Sequence, residues 1–204
     1  MFKYLVSLLL LFTAFTSSFA SDFRESEDFK ALENVLLQVK TIKGNLVQDF
    51  RGEKVNANFA LKLPSKLKID YTSPEVPLTL IVTPSIITYY DKKLDQKSQV
   101  KTPQNASSLI LTSHLSLNDA RLKITSFKRS YTGVEVEFSH ISMPNAQFKV
   151  FFSKNGEGFV LNKIEMNDGV EPIKSEFSNI VINEKIKDSE FQILNKKVDA
   201  KFNF

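Results

Sequence analysis

Between positions 59 and 91 apolar and polar residues alternate, and no other feature restricts the fold of this chain as strongly. Phe59, Leu61 and Leu63 alternate with Ala60 and Lys62, and Leu67, Ile69 and Tyr71 alternate with Lys66, Lys68 and Asp70. A period of two sends successive side chains to opposite faces of a strand, so each run has one apolar and one wet face. Pro64-Ser65 makes the turn between the two runs. Beyond a break at Pro74 and Pro77 come two more apolar runs, 78–82 and 86–90, joined through Thr83-Pro84-Ser85. Antiparallel strands of this kind share one greasy face across several neighbours, and something must cover it.

The same pattern recurs on both sides of this stretch. Strands are predicted at 45–51, with Leu46, Gln48 and Phe50 on one face, and at 55–63, 66–71, 78–82 and 86–90. A more polar strand is expected over 94–100. Strands resume at 121–128, and then Val134, Val136 and Phe138 alternate with Glu135 and Glu137. The phenylalanine-rich run 147–153, the Asn155-Gly156 hairpin signal and runs at 159–166 and 173–182 follow, with a turn at Asn167-Asp168-Gly169 between the last two. Helices are few. Phe29, Leu32, Leu36 and Val39 recur at helical spacing within 22–40, and Gly44 is read as closing that region. Residues 103–111 read as a short apolar helical insert carrying Leu109 and Ile110, and 116–119 as another short helical turn. About eleven strands with so few helices imply one large, strongly curved antiparallel sheet, mainly β, capped by short helices.

The first twenty residues have a different composition. Lys3 precedes an apolar stretch from Tyr4 to Phe15, and Ser18-Phe19-Ala20 is a small-x-small cleavage site. This is the pattern of a secretory signal peptide over 1–20, leaving 21–204 as a single exported domain. The apolar stretch falls short of the ~20 residues a spanning helix needs. Ser21 and Asp22 stand where a lipidated cysteine would follow the cut, and the chain has no cysteine at all. The domain therefore has no disulfide and must rest on its core. The net charge is +4, with basic and acidic residues interspersed, which gives no stripe for nucleic acid. Eighteen Phe against no Trp suit both a core and a pocket for apolar ligands.

These residues together resemble the LolA family of periplasmic lipoprotein carriers. The likeness runs through the N-terminal helix, Leu46-Val47-Gln48-Asp49-Phe50, Lys62-Leu63-Pro64, Lys68-Ile69-Asp70-Tyr71-Thr72-Ser73-Pro74, Tyr89-Tyr90-Asp91, Leu94-Asp95-Gln96 and Asp188-Ser189-Glu190-Phe191. The resemblance implies an unclosed half-barrel whose concave apolar face binds acyl chains of lipoproteins. It implies cargo received from an inner-membrane ABC transporter of the Lol type and passed to an outer-membrane receptor, LolB or a substitute. The cavity residues it points to are Phe59, Leu61, Leu63, Leu67, Ile69 and Tyr71, with Leu32, Leu36, Leu109 and Ile110 as a lid. The protein is expected to be a monomer without cofactor or catalytic activity. One departure stands out: the family's arginine before the second-strand proline, thought to latch the lid, is Leu63 here.

Other readings compete. His114 and His140 are the only histidines; neither lies in a metal-binding spacing, and Ser113-His114 lacks the glycines of a nucleophile elbow. Asp70, Asp91 and Asp95 sit beside strands, where solvated faces account for them. A transmembrane barrel would share the alternation and a terminal aromatic, Phe204, but the outward faces here carry Lys and Glu. A sensor of lipid or lipoprotein would use the same fold as a carrier.

Overall fold

The computed structural model describes residues 23–50, 52–102, 111, 114–156, 158–169, 172–193 and 198–202. The expected signal peptide and nearly all of the 103–111 insert, including Leu109 and Ile110, lie outside the described residues.

A 3-10 turn over Phe23–Glu25 leads into one α-helix, α1, at Glu27–Gln38. Ser26 breaks what the sequence suggests is one helix. It holds an extended conformation as N-cap, and its hydroxyl accepts the Phe29 N–H at 3.3 Å. Glu27 and Asp28 in the first turn suit the positive end of the helix dipole. The helix stops at Val39, which is already extended.

The strands are β1 (Thr41–Phe50), β2 (Glu53–Lys62), β3 (Lys66–Tyr71), β4 (Leu78–Val82), β5 (Ile86–Asp91), β6 (Gln96–Lys101), β7 (Leu122–Arg129), β8 (Gly133–His140), β9 (Met143–Asn155), β10 (Gly158–Asn167), β11 (Pro172–Ile182) and β12 (Val198–Phe202). They form a single sheet in the order β12-β6-β5-β4-β3-β2-β1-β11-β10-β9-β8-β7. Eleven pair antiparallel; β12, from the tail, adds in parallel to β6. The sheet has two ends and does not close. It is the mainly β sheet expected from the alternation, in the unclosed half-barrel form that the family resemblance implies.

Four local expectations are corrected. Gly44 does not end the helical region but lies inside β1. That strand starts before the predicted 45, because Ile42 extends the inward-facing alternation back from Leu46 and Thr41 already pairs with Lys62. Residues 116–119 form a turn at 117–118 rather than a helix. The sixth strand begins at Gln96, leaving Leu94 exposed at the hairpin tip. The tail turns once as a 3-10 helix at Asp188–Phe191 before reaching the sheet edge.

Two apolar clusters divide the inside of the sheet. Helix α1 lies on the β8–β10 half, where Phe29, Leu32 and Leu36 bury against Val134, Val136 and Phe159. The outside of this half is laced with charge: Lys128 and Lys149 both contact Glu135 and Glu137, and Lys163 contacts Glu165. Such exposed pairs stabilise little individually but keep this face in water. On the outside of β2–β4 the wet face is partly covered, because Ile186 and Phe191 of the tail bury Ala60 and Ile81.

Candidate functional site

The inner face of β1–β4 is built by register. Phe59 stands opposite Ile69, Leu61 opposite Leu67 and Ala57 opposite Tyr71. On the next strand Leu80 faces Ile69 and Val82 faces Leu67. Cross-strand neighbours on one face pack together, so the alternation read in sequence becomes a continuous apolar floor.

Phe59, Leu61 and Tyr71 are buried in this floor together with Ile42, Leu46 and Ala57. Leu63, Leu67 and Ile69 pack against them but remain half-buried, as do Val55, Leu78, Leu80 and Val82. All six residues predicted as acyl-chain liners therefore meet in one cluster. The run 78–82 belongs with them, and its alternation carried that signal in the sequence. Leu63 contributes its backbone N–H to Lys40 O at 2.9 Å, while its side chain packs on the floor.

Gly44 explains how the floor closes. It lies opposite Phe59. A Cβ there would come within 2.7 Å of Ile180 Cδ1, 2.9 Å of Ser178 O and 3.1 Å of the Phe59 ring. The bare backbone lets Phe59 settle against β1 and meet Phe177 edge-on, with centroids 5.3 Å apart.

The residues expected to form a lid do not share one cluster with the expected cavity residues. Leu32 and Leu36 belong to the other cluster, over β8–β10, and not to the floor holding Phe59. The helical stripe could not reveal which half of the sheet it would cover. Among the described residues of this region, Leu111, at the end of the insert, packs in the β1–β4 floor, and Leu115 packs against both clusters. The segment carrying Leu115 is fastened to α1 by a residue the sequence reading did not single out. The buried Glu33 carboxylate accepts the Ser116 hydroxyl at 2.5 Å and the Leu117 N–H at 2.6 Å. Its only signal was an acid inside an apolar helical stripe.

One polar pair interrupts the floor. The Tyr71 hydroxyl donates to Gln48 Oε1 at 2.8 Å. Burial pushes the Tyr71 phenol above its usual range, so it stays a hydroxyl donor at neutral pH.

The residues weighed as enzymatic have structural surroundings. His140 is 2 % exposed, and its Nδ1 accepts the Ser142 N–H at 3.1 Å. Burial, with Arg121 nearby, holds its pKa below the ordinary value; Asp119 acts in the opposite direction. Among the described residues no group of His, Asp and Glu is arranged to hold a metal. Asp70 accepts from Thr79 and Lys92 on the outer face. Also among the described residues, no helix is long and apolar enough to cross a membrane.

The chain is similar to several known proteins. An uncharacterized conserved protein from Thermus thermophilus has a similar fold, with a TM-score of 0.55 at 9% identity, covering 85% of this chain and 97% of that one. A LolA superfamily protein from Nitrosomonas europaea aligns with a TM-score of 0.46 at 11% identity, over 80% of this chain and 95% of that one. The Pseudomonas aeruginosa MucA/MucB complex contains a chain aligning with a TM-score of 0.41 at 10% identity, over 80% of this chain and 59% of that one. No curated protein matches the sequence. The sequence pattern of the family described as outer membrane lipoprotein carrier protein LolA matches residues 37–194, from the end of α1 into the tail. With most of its length so matched, the chain belongs to the LolA family.

Proposed function

We propose that this protein is a monomeric periplasmic carrier, exported by a signal peptide over 1–20, that shields the acyl chains of lipoproteins between two membranes. Cargo arrives from an inner-membrane ABC transporter of the Lol type and leaves to an outer-membrane receptor, LolB or a substitute. The observation supporting this most directly is the half-buried floor of β1–β4. Its aliphatic side chains share the inner face with Leu111 and Leu115 among the described residues, while the apolar stripe of α1 packs in the other cluster. Half-buried aliphatic side chains lined up on one sheet face are chemically complementary to acyl chains.

Energetics frame the task. Burying one CH₂ is worth ~0.8 kcal/mol, so a chain of ~15 gains roughly 12 kcal/mol. Three such chains would pass the roughly 20 kcal/mol ceiling of non-covalent affinity. A carrier must release its load, so part of this gain goes into displacing Leu111 and Leu115 from the floor. The family is described as a carrier, and no catalytic step is proposed.

The test is binding of the 21–204 protein to a triacylated lipopeptide and to the same peptide without acyl chains. Saturable, one-to-one, acyl-dependent binding is expected. Binding to neither would reduce the floor to an ordinary core. Transfer of bound lipopeptide to receptor-bearing membranes then separates a carrier from a sensor, which would retain it.

A further inference from the structure

An apolar floor alone cannot distinguish an acyl ester from any other hydrocarbon. The pair Gln48 and Tyr71 gives this floor a place where it can. Gln48 follows Leu46 by two on β1 and so shares its inner face. It stands opposite Val55 on β2 and Ser175 on β11. Tyr71 comes from β3, one strand beyond, where it faces the small Ala57. Its hydroxyl therefore reaches across β2 to meet the amide of β1.

The end of β3 that positions Tyr71 is tied down on both sides. Thr72 N–H donates to Asn56 O at 2.8 Å, and Asn56 N–H donates to the buried Ser73 Oγ at 2.8 Å. The Tyr71 hydroxyl occupies Gln48 Oε1. A carboxamide has two donors on its nitrogen besides this oxygen. Among the described residues the Gln48 nitrogen has no partner, and no buried side-chain polar atom is left unsatisfied. That nitrogen is therefore accessible, with its orientation set by a buried phenol. It is an oriented donor at the margin of an apolar surface. It also lies two residues from the end of β1, close to the β1–β2 turn.

We infer that Gln48, held by Tyr71, is a specificity-determining residue that donates a hydrogen bond to an ester carbonyl of the bound acyl chains. The inference rests on the carrier reading given above. The chemistry is complementary: an ester carbonyl only accepts, and Gln48 Nε2 only donates. Lipid tails then lie along Phe59, Leu61, Leu67 and Ile69, and the glyceryl end sits at Gln48. Tyr71 acts through Gln48 and is a positioning residue.

The test compares two lipopeptides with the same peptide and chain length, one a diacylglyceryl ester and the other its dialkyl ether. The full mature protein is expected to prefer the ester by about two- to tenfold, the range one neutral hydrogen bond supports. Gln48→Leu should bind the ether as wild type does and lose the ester preference. Tyr71→Phe keeps the ring on the floor and should reduce the preference without abolishing ether binding. Equal affinity of the wild-type protein for both lipids, or an ester preference surviving in Gln48→Leu, overturns this inference and leaves the carrier reading intact. Failure of the wild-type protein to bind either lipid overturns both.

Discussion

At the scale of single residues, the floor depends on one absent side chain and one replaced side chain. The absent one is at Gly44. Because a Cβ there meets backbone oxygen as well as side chains, the strain cannot relax by a rotamer change alone. Gly44→Ala is expected to lower stability by about 1–3 kcal/mol, the usual cost of overpacking, as measured by urea denaturation. The replaced one is Leu63, which has no polar hydrogen to offer a lid and packs on the floor instead. Leu63→Arg should speed release of a bound acyl probe in a stopped-flow chase; an unchanged or slower off-rate would refute a latching role for this position. His140 adds a pH effect. Its folded-state pKa lies below the ordinary 6.5, chiefly through burial. The unfolded chain therefore takes up the proton first, and the stability from neutral His140 is complete above pH 6.5 and declines below it. His140→Asn should flatten the fall in denaturation midpoint between about pH 7 and pH 5 relative to wild type. Arg121 and Asp119, which also face His140, are unchanged in that comparison.

At the scale of elements, the eleven antiparallel strands were legible in sequence, whereas the parallel β12 of the tail and the helical coverage were not. Alternation is a local signal: Phe59, Leu61, Leu67 and Ile69 announce both a strand and a shared face, because register carries them to one side. The position of α1 is non-local. Its stripe of Phe29, Leu32 and Leu36 would bury equally well on either half of the sheet, so sequence placed Leu32 and Leu36 over the wrong cluster. Glu33 was unreadable for the same reason, since its partners Ser116 and Leu117 lie more than eighty residues away. That tie is testable. Glu33→Ala leaves the Leu117 N–H buried without its acceptor and should cost about 1–3 kcal/mol. Ser116→Ala, which spares that N–H, should cost less. Amide exchange at Leu117 should accelerate in Glu33→Ala.

At the scale of the whole molecule, the division into two clusters separates a core packed by α1 from the floor proposed here to bind acyl chains. The β8–β10 half is sealed by α1 and faces outward with a lattice of Lys and Glu, while the β1–β4 half keeps half-buried aliphatics inside. The unjoined edges, β7 at one end and β12 at the other, give this arrangement a further property. A cylinder sealed by hydrogen bonds has a circumference fixed by its strand number and stagger. A cut cylinder has no such constraint, and its radius can follow its contents. For the proposed carrier, capacity is then expected to be a graded quantity set by the load. Lipopeptides bearing one, two and three chains should show affinity changing smoothly with each added chain, where a rigid container would impose a cut-off.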